Sequence, residues 1–565
     1  MTKKCSAPAL RIWPTALHPV SMSVCITLML CLFYNEPLWQ LILDQPYESV
    51  TDRWLFATAF LSFLAAVIQL FIGSMAWPRL VKPLAIFLLL SAAAVNYFME
   101  SYGILIDKSM VQNLFETDAA EASDLISTEL VSHLLFKGLL PAVIVMLVPI
   151  RRTTLKSQLT AQGLSLLFCI TLIGLNTALL YKDYSSLFRN HREIRNLAVP
   201  SNYLYYSARY LAGAYDPVSR PFQPLGMDAV QRVETGRQKP DLLIVVLGET
   251  ARSQNFSLNG YARPTNPELE ARSVVSFRNV EACGTSTAIS VPCMFSLLGR
   301  AHYEAQTASH QSNVLDVLQQ AGINVLWRDN NSGCKGVCER VPHESTQQLI
   351  PEHDCDTEEC FDEQLLEGLD KWLDQQSGST MVVLHQKGSH GPSYYKRIPK
   401  GYETFTPVCT SNQLQSCSKE TITNAYDNSI RYTDHLLSQI IDLLQDQGER
   451  YTTAMVYISD HGESLGENNL YLHGMPWLIA PEEQKKIPLI TWLSDDFQQS
   501  HQLPVSCLQS HKEQPLSHDY LPHSLLGLLN VNTSVYKREL DLFADCRAGK
   551  NRLAGHAGTL TTQGS

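Results

Sequence analysis

The chain has 565 residues and a formal net charge of −11, from 55 acidic and 44 basic side chains. This acidic balance argues against nucleic acid as a partner, because nucleic-acid-binding domains carry basic patches, and the length leaves room for several domains. The average conceals two unlike halves. Apolar runs with few charges fill residues 20–181, whereas residues 182–565 have the mixed composition of a soluble globular protein.

Five apolar segments are long enough, or nearly so, to cross a bilayer, which takes about 20 residues of helix. The first is interrupted by Asn35, Glu36 and Pro37, and a cleaved signal peptide is its alternative interpretation, although no Ala-x-Ala-like cleavage site stands out. The sequence therefore predicts a five-helix transmembrane domain over residues 1–181. The predicted spans are 19–41, 54–75, 80–98, 130–150 and 159–181.

The basic residues beside these spans predict their orientation, because loops rich in Lys and Arg stay in the cytoplasm. The opposite flanks are mainly acidic, with Arg53 and Lys108 as the exceptions. An odd number of spans then places the N-terminus in the cytoplasm and everything after residue 181 outside it. The basic flanking residues are Lys3, Lys4, Arg11, Arg79, Lys82, Arg151, Arg152 and Lys156.

The cysteines support the same orientation. Ten of the fourteen follow residue 240, and eight of these form four close neighbour pairs. Zinc-binding thiolates are the competing interpretation, but the spacings do not make a set of CxxC pairs. In an oxidising compartment the simplest pairing is by disulfides, namely Cys283–Cys293, Cys334–Cys338, Cys355–Cys360, Cys409–Cys417 and Cys507–Cys546.

Two stretches connect the halves. The long outer loop, residues 99–129, contains Asn113, Thr117 and Glu121, whose spacing of four would place them on one face of a helix; a solvated interfacial helix is the plain interpretation. Residues 182–240 form a linker with an aromatic run typical of the headgroup interface. We expect this linker to follow the membrane surface.

From Asp241 onward the pattern alternates between β and α. Short apolar runs fit strands of a mainly parallel sheet buried on both faces, and helical stretches lie between them. The sequence predicts an α/β layered domain over residues 241–565. The strands are predicted at 242–247, 274–277, 323–327, 381–384, 454–458 and 489–493, and the helices at 314–320, 362–375 and 423–445.

Polar side chains follow four of these strands, where open α/β sheets bind their ligands. Glu249, Asp460 and His461 offer two carboxylates and an imidazole that suit zinc or a related divalent ion. Each residue alone has a plainer interpretation: a helix cap for Glu249, a structural Asp-His pair, a surface histidine for His473 and a solvated charge for Lys335. Recurrence at successive strand ends favours a site.

Residues 283–293 form a candidate nucleophile loop, with four hydroxyl residues between two cysteines. A hydroxyl bound to a divalent ion has a lowered pKa, which gives an alkoxide that attacks phosphorus at neutral pH. The residues themselves do not single out one hydroxyl. The candidates are Thr285, Ser286, Thr287 and Ser290.

Five motifs in order resemble the phosphoethanolamine transferases of Gram-negative bacteria, which include lipid A-modifying enzymes and the mobile colistin-resistance enzymes and belong to the alkaline phosphatase superfamily. The resemblance covers both halves of the chain, and the sulfatase Cys/Ser-x-Pro-x-Arg signature is absent around the nucleophile loop. The motifs are Gly248-Glu-Thr-Ala-Arg252, Cys283-Gly-Thr-Ser-Thr287-Ala with Val291-Pro-Cys-Met-Phe295, Asp329-Asn-Asn-Ser332 with Lys335-Gly336, Gly388-Ser-His390-Gly-Pro392 and Ser459-Asp-His-Gly-Glu-Ser-Leu-Gly-Glu467.

The resemblance implies a five-helix transmembrane domain followed by an alkaline phosphatase-like α/β/α sandwich. It implies that Thr287 is the nucleophile that becomes modified with phosphoethanolamine. It also assigns three residue sets: zinc ligands for one tightly bound ion, holders of the substrate phosphate or of a second zinc, and a site for the ethanolamine headgroup. These are, in turn, Glu249, Thr287, Asp460 and His461; His390, His473, Lys335 and Ser332; and Asn113, Thr117 and Glu121.

The expected reaction transfers phosphoethanolamine from phosphatidylethanolamine to a phosphate of lipid A, at the periplasmic side of the bacterial inner membrane. The added ethanolammonium offsets negative charge and would weaken the binding of polymyxins. Transfer to lipopolysaccharide core sugars, or phosphoglycerol transfer to a periplasmic glycan, is the alternative. A broad phosphomonoesterase and a non-catalytic sensor are two further competitors. No segment indicates an oligomer, and a monomer is expected.

Overall fold

The computed structural model describes residues 16–47, 49–117, 119–214, 221–232, 239–349 and 360–547. By its internal contacts the chain divides into two compact units. The first contains the chain up to Val111 and Ile126–Ala212, and the second contains Gln112–Leu125 and the chain from Gly213 onward. The outer-loop segment 112–125 therefore belongs to the same unit as the catalytic motifs.

The first unit is built from apolar helices. Within the described part of the chain, four helices are long and apolar enough to cross a membrane, and a fifth candidate is a pair of helices bent by 63°. The prediction of apolar spans is thus confirmed, with four or five of them, but the first predicted span is broken. The four are Val50–Ser74, Val81–Tyr102, Thr128–Leu147 and Leu155–Leu179, and the pair is Pro19–Phe33 with Glu36–Leu43.

The break in the first span is stabilised by Asn35. Its fully buried side chain donates to the carbonyl oxygens of Leu30 and Val199 and accepts from the Val199 amide, over 2.8–2.9 Å. Such partners are required, because an unpaired backbone group in an apolar surrounding costs several kcal/mol. The polar residues that interrupt the hydropathy pattern are therefore the ones that make the break tolerable.

A charged cluster lies within the first unit, on a π-helical turn over Leu134–Leu139. Lys137 Nζ lies 2.6 Å from Glu36 Oε1, 3.0 Å from Asn96 Oδ1 and 3.4 Å from Glu100 Oε2. A π-turn re-aims the side chains of an otherwise α-helical span, and here it directs the ammonium at its partners. The charges of this cluster are thus paired, as polar groups among apolar helices must be. The shorter helices in this part of the chain are Lys108–Glu116, Tyr181–Asn190, Ile194–Leu197 and Ser201–Ala214.

The second unit is organised around an eight-stranded sheet with strand order β8-β2-β7-β6-β1-β5-β3-β4. Strand β7 runs antiparallel to both its neighbours, and the other pairs are parallel. The sheet is therefore mainly parallel, as predicted. The strands are β1 Asp241–Gly248, β2 Val275–Glu281, β3 Asn324–Asp329, β4 His343–Ser345, β5 Thr380–His385, β6 Thr452–Ser459, β7 Lys486–Leu493 and β8 Leu516–Ser517.

Helices cover both faces of this sheet. Side chains alternate between faces along a strand, so Leu242, Ile244 and Val246 of β1 pack in one core and Leu243 and Val245 in the other. The long helix Lys419–Asp446 lies in the first core, and helices Val314–Gln320 and Tyr520–Leu528 lie in the second. This double burial explains the continuous apolar runs in the sequence and confirms the predicted α/β layers.

Other elements of this unit are short. The helix predicted at 362–375 is wrong as a single element, because Gly368, at φ 63°, separates the 3₁₀ turn Asp362–Leu366 from the helix Leu369–Asp374. The remaining helices are Ala119–Asp124, Pro267–Glu270, Thr287–Met294, Ala305–Ser309, Thr346–Leu349, Glu482–Lys485, Asp495–His501 and Val505–Ser510, and two-residue strands pair Val230–Gln231 with Val531–Asn532 and Ser464–Leu465 with Tyr471–Leu472.

Disulfides connect neighbouring cysteines throughout the second unit. Four of the five predicted pairs are present: Cys283–Cys293, Cys334–Cys338, Cys409–Cys417 and Cys507–Cys546. Cys355, the expected partner of Cys360, lies outside the described residues. The four bonds favour a non-zinc role for these thiols, since a thiol in a disulfide cannot bind metal as a thiolate.

Candidate active site

The carboxyl ends of four parallel strands meet at one edge of the sheet. Gly248 of β1 pairs with Ser459 of β6, and His385 of β5 pairs with Asp329 of β3. The chain leaves β1 and β6 directly into Glu249 and Asp460-His461. Parallel pairing therefore brings together acids that lie about two hundred residues apart in sequence, at the edge where α/β sheets bind ligands.

Glu249, Thr287, Asp460 and His461 place one donor atom each in a tight cluster. Thr287 Oγ1 lies 3.1 Å from Glu249 Oε1 and 3.4 Å from His461 Nε2. His461 Nε2 lies 3.4 Å from Glu249 Oε1 and 3.3 Å from Asp460 Oδ2. Oxygen and nitrogen ligands about 2.0–2.1 Å from a tetrahedral zinc ion are separated by about 3.3–3.4 Å. The spacing of these donors fits a tetrahedral ion.

The electrostatics of the cluster also fit a cation. Glu249, Asp460 and His461 are fully buried, and Asp460 Oδ2 has no hydrogen-bond partner among the described residues. Burial together with the nearby Glu249 carboxylate raises the pKa of Asp460 well above its ordinary value. Two buried acids with an orphaned oxygen are costly on their own, and a divalent ion would offset that cost.

The imidazole of His461 has the tautomer that a metal ligand needs. Its Nδ1 donates to the carbonyl oxygen of Gly462 over 2.9 Å, which leaves the Nε2 lone pair facing the carboxylates. Backbone carbonyls commonly fix ligating histidines in this way. Asp460 Oδ1 is likewise held, by the amides of His461 and Thr250 at 2.7 and 3.2 Å. Both ligands are therefore oriented before any ion binds.

The structure distinguishes the hydroxyls of the nucleophile loop. Thr285 Oγ1 donates to the Met475 carbonyl over 2.6 Å, and Ser290 Oγ donates to the Asp460 carbonyl over 2.6 Å. Ser286 is fully buried. Thr287 is half-buried and contacts both carboxylate oxygens of Glu249, at 3.1 and 3.2 Å. Thr287 is thus the hydroxyl at the acid cluster, and Thr285 and Ser290 anchor the loop.

Thr287 is also the first residue of the helix Thr287–Met294, with Ser286 as its N-cap. The amides of a first helical turn have no intrahelical partners, and together with the helix dipole they favour negative charge. Phosphoryl oxygens on Thr287 Oγ1 would lie at this helix end. The local structure therefore suits an oxygen that carries a phosphoryl group.

Glu249 is supported by residues that the sequence did not single out as site residues. Asn331 Nδ2 donates to Glu249 Oε2 over 2.7 Å. Next to it, the buried His385 Nδ1 lies 2.9 Å from Asp329 Oδ2. Burial lowers the pKa of His385, but the charge and hydrogen bond of Asp329 and the other nearby carboxylates outweigh it, so the pKa is raised above its ordinary value. Hydrogen-bonded partners of this kind hold metal-binding carboxylates in place.

His473 lies next to the cluster, with its ring centroid 4.4 Å from that of His461. Its Nδ1 is 2.8 Å from Glu463 Oε2, and Tyr394 Oη donates to Glu463 Oε1 over 2.6 Å. The ring centroid of His390 lies 5.5 Å from that of His473. Glu463 and Tyr394 orient His473, and the only sequence signal for Glu463 was its place in the motif after β6.

Known proteins align with this chain along most of its length. Over 535 aligned residues the chain is 42% identical to phosphoethanolamine transferase EptA of Escherichia coli K12, across 93% of this chain and 95% of that protein. This chain belongs to the EptA phosphoethanolamine transferase family. Residues 63–215 match the family described as phosphoethanolamine transferase EptA/EptB, and residues 241–531 match the family described as sulfatase.

Two further proteins are similar to this chain along most of its length. Phosphatidylethanolamine transferase Mcr-1 of Escherichia coli is 38% identical across 81% of this chain and 85% of its own length. The integral membrane lipooligosaccharide phosphoethanolamine transferase A of Neisseria meningitidis superposes with a TM-score of 0.89 at 34% identity, covering 94% of this chain and all of that one. The chain therefore has the EptA fold, with apolar N-terminal helices and an alkaline phosphatase-like soluble domain.

Four other predicted site residues of this EptA-family chain lie on two segments that contact each other or the nucleophile helix. Lys335 Nζ donates to the carbonyl oxygens of Ser332 and Glu116, at 3.1 and 3.4 Å. Thr117 Oγ1 donates to the Asn113 carbonyl over 2.7 Å. The neighbouring Gln112 Nε2 lies 3.5 Å from the carbonyl of Ala288, next to Thr287.

One predicted relationship on the outer segment is corrected. The helix Lys108–Glu116 ends before Thr117, and Ala119–Asp124 is a separate helix. Asn113, Thr117 and Glu121 therefore do not share one face of a single helix. The side chain of Glu121 lies outside the described residues, so its proposed contact with an ammonium stays a prediction.

Gly388 packs against the backbone of Glu249. Gly388 has φ 55°, and a Cβ placed on it would lie 2.8 Å from the Glu249 carbonyl oxygen. Its amide donates to Asp362 Oδ2 over 2.9 Å, and the Ser389 amide donates to the Glu249 carbonyl over 3.1 Å. Both the left-handed backbone and the close approach require glycine here, so the backbone of the 388–390 turn fixes the position of Glu249.

Proposed function

We propose that this chain transfers phosphoethanolamine from phosphatidylethanolamine to a phosphate of lipid A through a covalent intermediate on Thr287. The relatives that align along most of the chain are phosphoethanolamine transferases by name. The observation that carries the proposal is the position of Thr287 Oγ1, 3.1–3.4 Å from Glu249 and His461.

We further propose that one zinc ion binds to Glu249, Thr287, Asp460 and His461. When bound, zinc lowers the pKa of a ligating hydroxyl and stabilises negative charge on a transferring phosphoryl group. The donor set of two carboxylates, one imidazole and one hydroxyl suits this ion. Asp460 Oδ2, without a hydrogen-bond partner among the described residues, supplies the remaining lone pair.

In the proposed first step, Thr287 Oγ1 attacks the phosphorus of phosphatidylethanolamine. The Oγ1–P bond forms, the bond from phosphorus to the diacylglycerol oxygen breaks, Thr287 loses its hydroxyl proton and diacylglycerol gains one. His473 is proposed to move that proton. Glu463 accepts from its Nδ1, so its Nε2 faces away from Glu463 and is the ring nitrogen proposed to exchange the proton. The N-terminal amides of the helix after Ser286 stabilise the phosphoryl oxygens.

In the second step a lipid A phosphate oxygen attacks the same phosphorus, and the Oγ1–P bond breaks to restore Thr287. His390, His473, Lys335 and Ser332 are proposed to hold the phosphate groups. Asn113 and Thr117, on the segment that approaches Ala288, are proposed to contact the ethanolamine headgroup together with Glu121. Both substrates are lipids, which explains why the catalytic unit shares its chain with membrane helices.

We also propose an orientation for the chain, with a cytoplasmic N-terminus, a membrane domain over 1–181, a surface linker over 182–240 and a periplasmic catalytic domain over 241–565. The basic flanks of the predicted spans and the four disulfides support it. Reporter fusions after residues 181 and 547 test it, since an oxidation-dependent reporter should be active at both positions.

The intermediate is tested by intact mass of the full chain after incubation with phosphatidylethanolamine. We expect wild type to gain the mass of one phosphoethanolamine group, located on the 283–293 peptide, and Thr287→Ala to gain none. Thr285→Ala is the matched control, because the Thr285 hydroxyl faces Met475. An adduct on Thr287→Ala would refute the assignment. Mass spectra of lipid A and of core fragments from expressing cells then distinguish the two acceptor classes.

A further inference from the structure

The loop over residues 474–481 exposes an apolar tip directly after His473. Leu478 is 86% exposed, the highest value for a large apolar side chain among the described residues, and Ile479 is 44% exposed. Single exposed apolar residues are common and need no explanation. Two adjacent exposed apolar residues that follow a tryptophan need an explanation when they lie close in sequence to a site whose proposed substrates are lipids.

The tip is a fixed turn. The amides of Ile479 and Ala480 both donate to the Pro476 carbonyl over 3.0 Å. At the base of the loop, the Met475 amide donates to Gln484 Oε1 over 3.1 Å. The exposure of Leu478 is therefore a property of a hydrogen-bonded loop whose backbone is held at both sides.

Trp477 lies near two cations at the base of this tip, of which Lys485 also pairs with Glu482 Oε1 at 3.0 Å. The Arg300 guanidinium carbon is 3.4 Å from the Trp477 ring centroid, and Lys485 Nζ is 5.8 Å from it. Tryptophan is enriched where protein meets lipid headgroups, and cations there attract lipid phosphates. A tryptophan ring, two cations and two protruding aliphatic side chains have the chemistry of a surface that binds a phospholipid bilayer.

The same loop is bonded to the nucleophile loop. The Gly474 amide donates to the Thr285 carbonyl over 2.7 Å, and Thr285 Oγ1 donates to the Met475 carbonyl over 2.6 Å. Thr285 lies two residues before Thr287. A lipid in contact with the tip would therefore lie on a loop that is hydrogen-bonded to the loop carrying the reacting hydroxyl.

We propose that the tip formed by Trp477, Leu478 and Ile479 enters the acyl-chain region of a phospholipid bilayer, with Arg300 and Lys485 at the level of the lipid phosphates. Charge complementarity favours a bilayer over a protein partner, because the phosphates match the two cations and the chains match the aliphatic pair. This inference deepens the proposed function, since it explains how a donor headgroup reaches Thr287 while its acyl chains stay in lipid.

The direct test uses tryptophan fluorescence of the full chain in nanodiscs made with acyl-brominated or unbrominated phosphatidylethanolamine. We expect bromine to quench the tryptophan fluorescence of wild type more than that of Trp477→Phe. The fluorescence of Trp477 itself, obtained as wild type minus Trp477→Phe, should be strongly quenched. Trp372→Phe is the matched control, because Trp372 lies on the helix Leu369–Asp374 of the same unit, and its removal should leave the bromine quenching unchanged. Equal quenching of wild type and Trp477→Phe would overturn the proposal, and this readout does not depend on catalysis.

A second test compares two substrates. Leu478→Ser/Ile479→Ser should reduce turnover of bilayer phosphatidylethanolamine about tenfold relative to turnover of a soluble phosphoethanolamine diester without acyl chains. The control Met227→Ser/Val230→Ser removes side chains of comparable exposure, 61% and 60%, and should leave the ratio unchanged. Equal loss on both substrates would overturn the proposal, whereas absence of turnover by wild type would count against the proposed function instead.

Discussion

Arg397 donates to the carboxylate of Asp124 over 2.5 Å, and both side chains are buried, at 2% and 3% exposure. The Nε of the same guanidinium donates a hydrogen bond to the His390 carbonyl over 2.8 Å. Asp124 belongs to the outer segment 112–125, and His390 belongs to the turn behind Glu249. One cation thus bonds the segment proposed to hold the headgroup to the turn that carries a proposed phosphate ligand.

Removing Arg397 should therefore affect both stability and activity. Arg397→Leu leaves the Asp124 carboxylate buried without its main partner, which costs about 3–5 kcal/mol. We expect a lower unfolding midpoint of the full chain in detergent and a lower transfer rate. In Asp124→Asn/Arg397→Leu the loss should be smaller than the sum of the two single losses.

Lys396→Met is the matched control for this pair, because Lys396 also contacts Asp124 but is 47% exposed, and exposed pairs contribute little. Burial raises the pKa of Asp124, but Arg397 and Lys396 outweigh it and hold the pKa below its ordinary value. The stabilisation should therefore be present above about pH 4 and be lost as the pH falls further. Additive losses in the double variant would contradict this coupling.

His518 should give a second loss of stability on acidification, in a higher pH range than Asp124. Its Nδ1 accepts from the Cys283 amide and its Nε2 donates to the Ser459 carbonyl, both over 2.9 Å, so the ring is neutral. Burial lowers the pKa of His518 to about 4. Below its unfolded value of about 6.5 the unfolded chain gains a proton that the folded chain does not, so the free energy of unfolding should fall by about 3 kcal/mol between pH 6.5 and 4.

The measurement is the unfolding free energy of the full chain as a function of pH. His518→Gln should be less stable at pH 7, since it disturbs two buried hydrogen bonds, but its stability should decline less steeply below pH 6.5. His302→Gln, at an exposed position, should retain the wild-type slope. A wild-type slope in His518→Gln would show that other groups account for the acid sensitivity.

Glu463 should act on catalysis through His473. Glu463→Gln keeps the shape but removes the carboxylate that accepts from His473 Nδ1, so the ring loses its preferred tautomer. Partners of this kind are worth about 10–100-fold in activity, and we expect a loss of this size in kcat with a smaller change in KM. Tyr394→Phe removes one hydrogen bond to Glu463 and should cost less. A change confined to KM would instead indicate a role in substrate binding.

Metal removal should destabilise wild type and spare one variant. Zinc that binds only the folded state stabilises it by about 2.7 kcal/mol at a hundred times Kd, so chelation should lower the unfolding midpoint. Asp460→Asn removes one of two repelling buried acids, and we expect its metal-free form to be more stable than metal-free wild type and unresponsive to zinc. A zinc-dependent shift in Asp460→Asn equal to that of wild type would exclude Asp460 as a ligand.

The sequence was sufficient to predict the sheet and the edge of the sheet that bears the site. Strands buried on both faces, such as β1, leave continuous apolar runs, and the residues that follow them must lie at one edge. Glu249 and Asp460 could therefore be placed near each other from the sequence alone. The transmembrane helices were equally visible, because a bilayer demands length and apolar composition together.

The choice among hydroxyls could not be made from the residues alone. It depends on the partners of Thr285 and Ser290, the carbonyls of Met475 and Asp460, which lie 190 and 170 residues away in sequence. Asp124 was equally hidden, since in the sequence it is one more acid in an outer loop. Long-range pairing decided both roles, and no local pattern records it.

The backbone turn at Gly388 has a consequence for drug design. A side chain at this position would collide with the carbonyl of Glu249 and would have to adopt a left-handed conformation. An inhibitor that binds the main chain of this turn would therefore contact a position at which substitutions are disfavoured, so resistance by point substitution at Gly388 is not expected. Escape would then have to arise elsewhere in the pocket, at positions whose side chains the chemistry also needs.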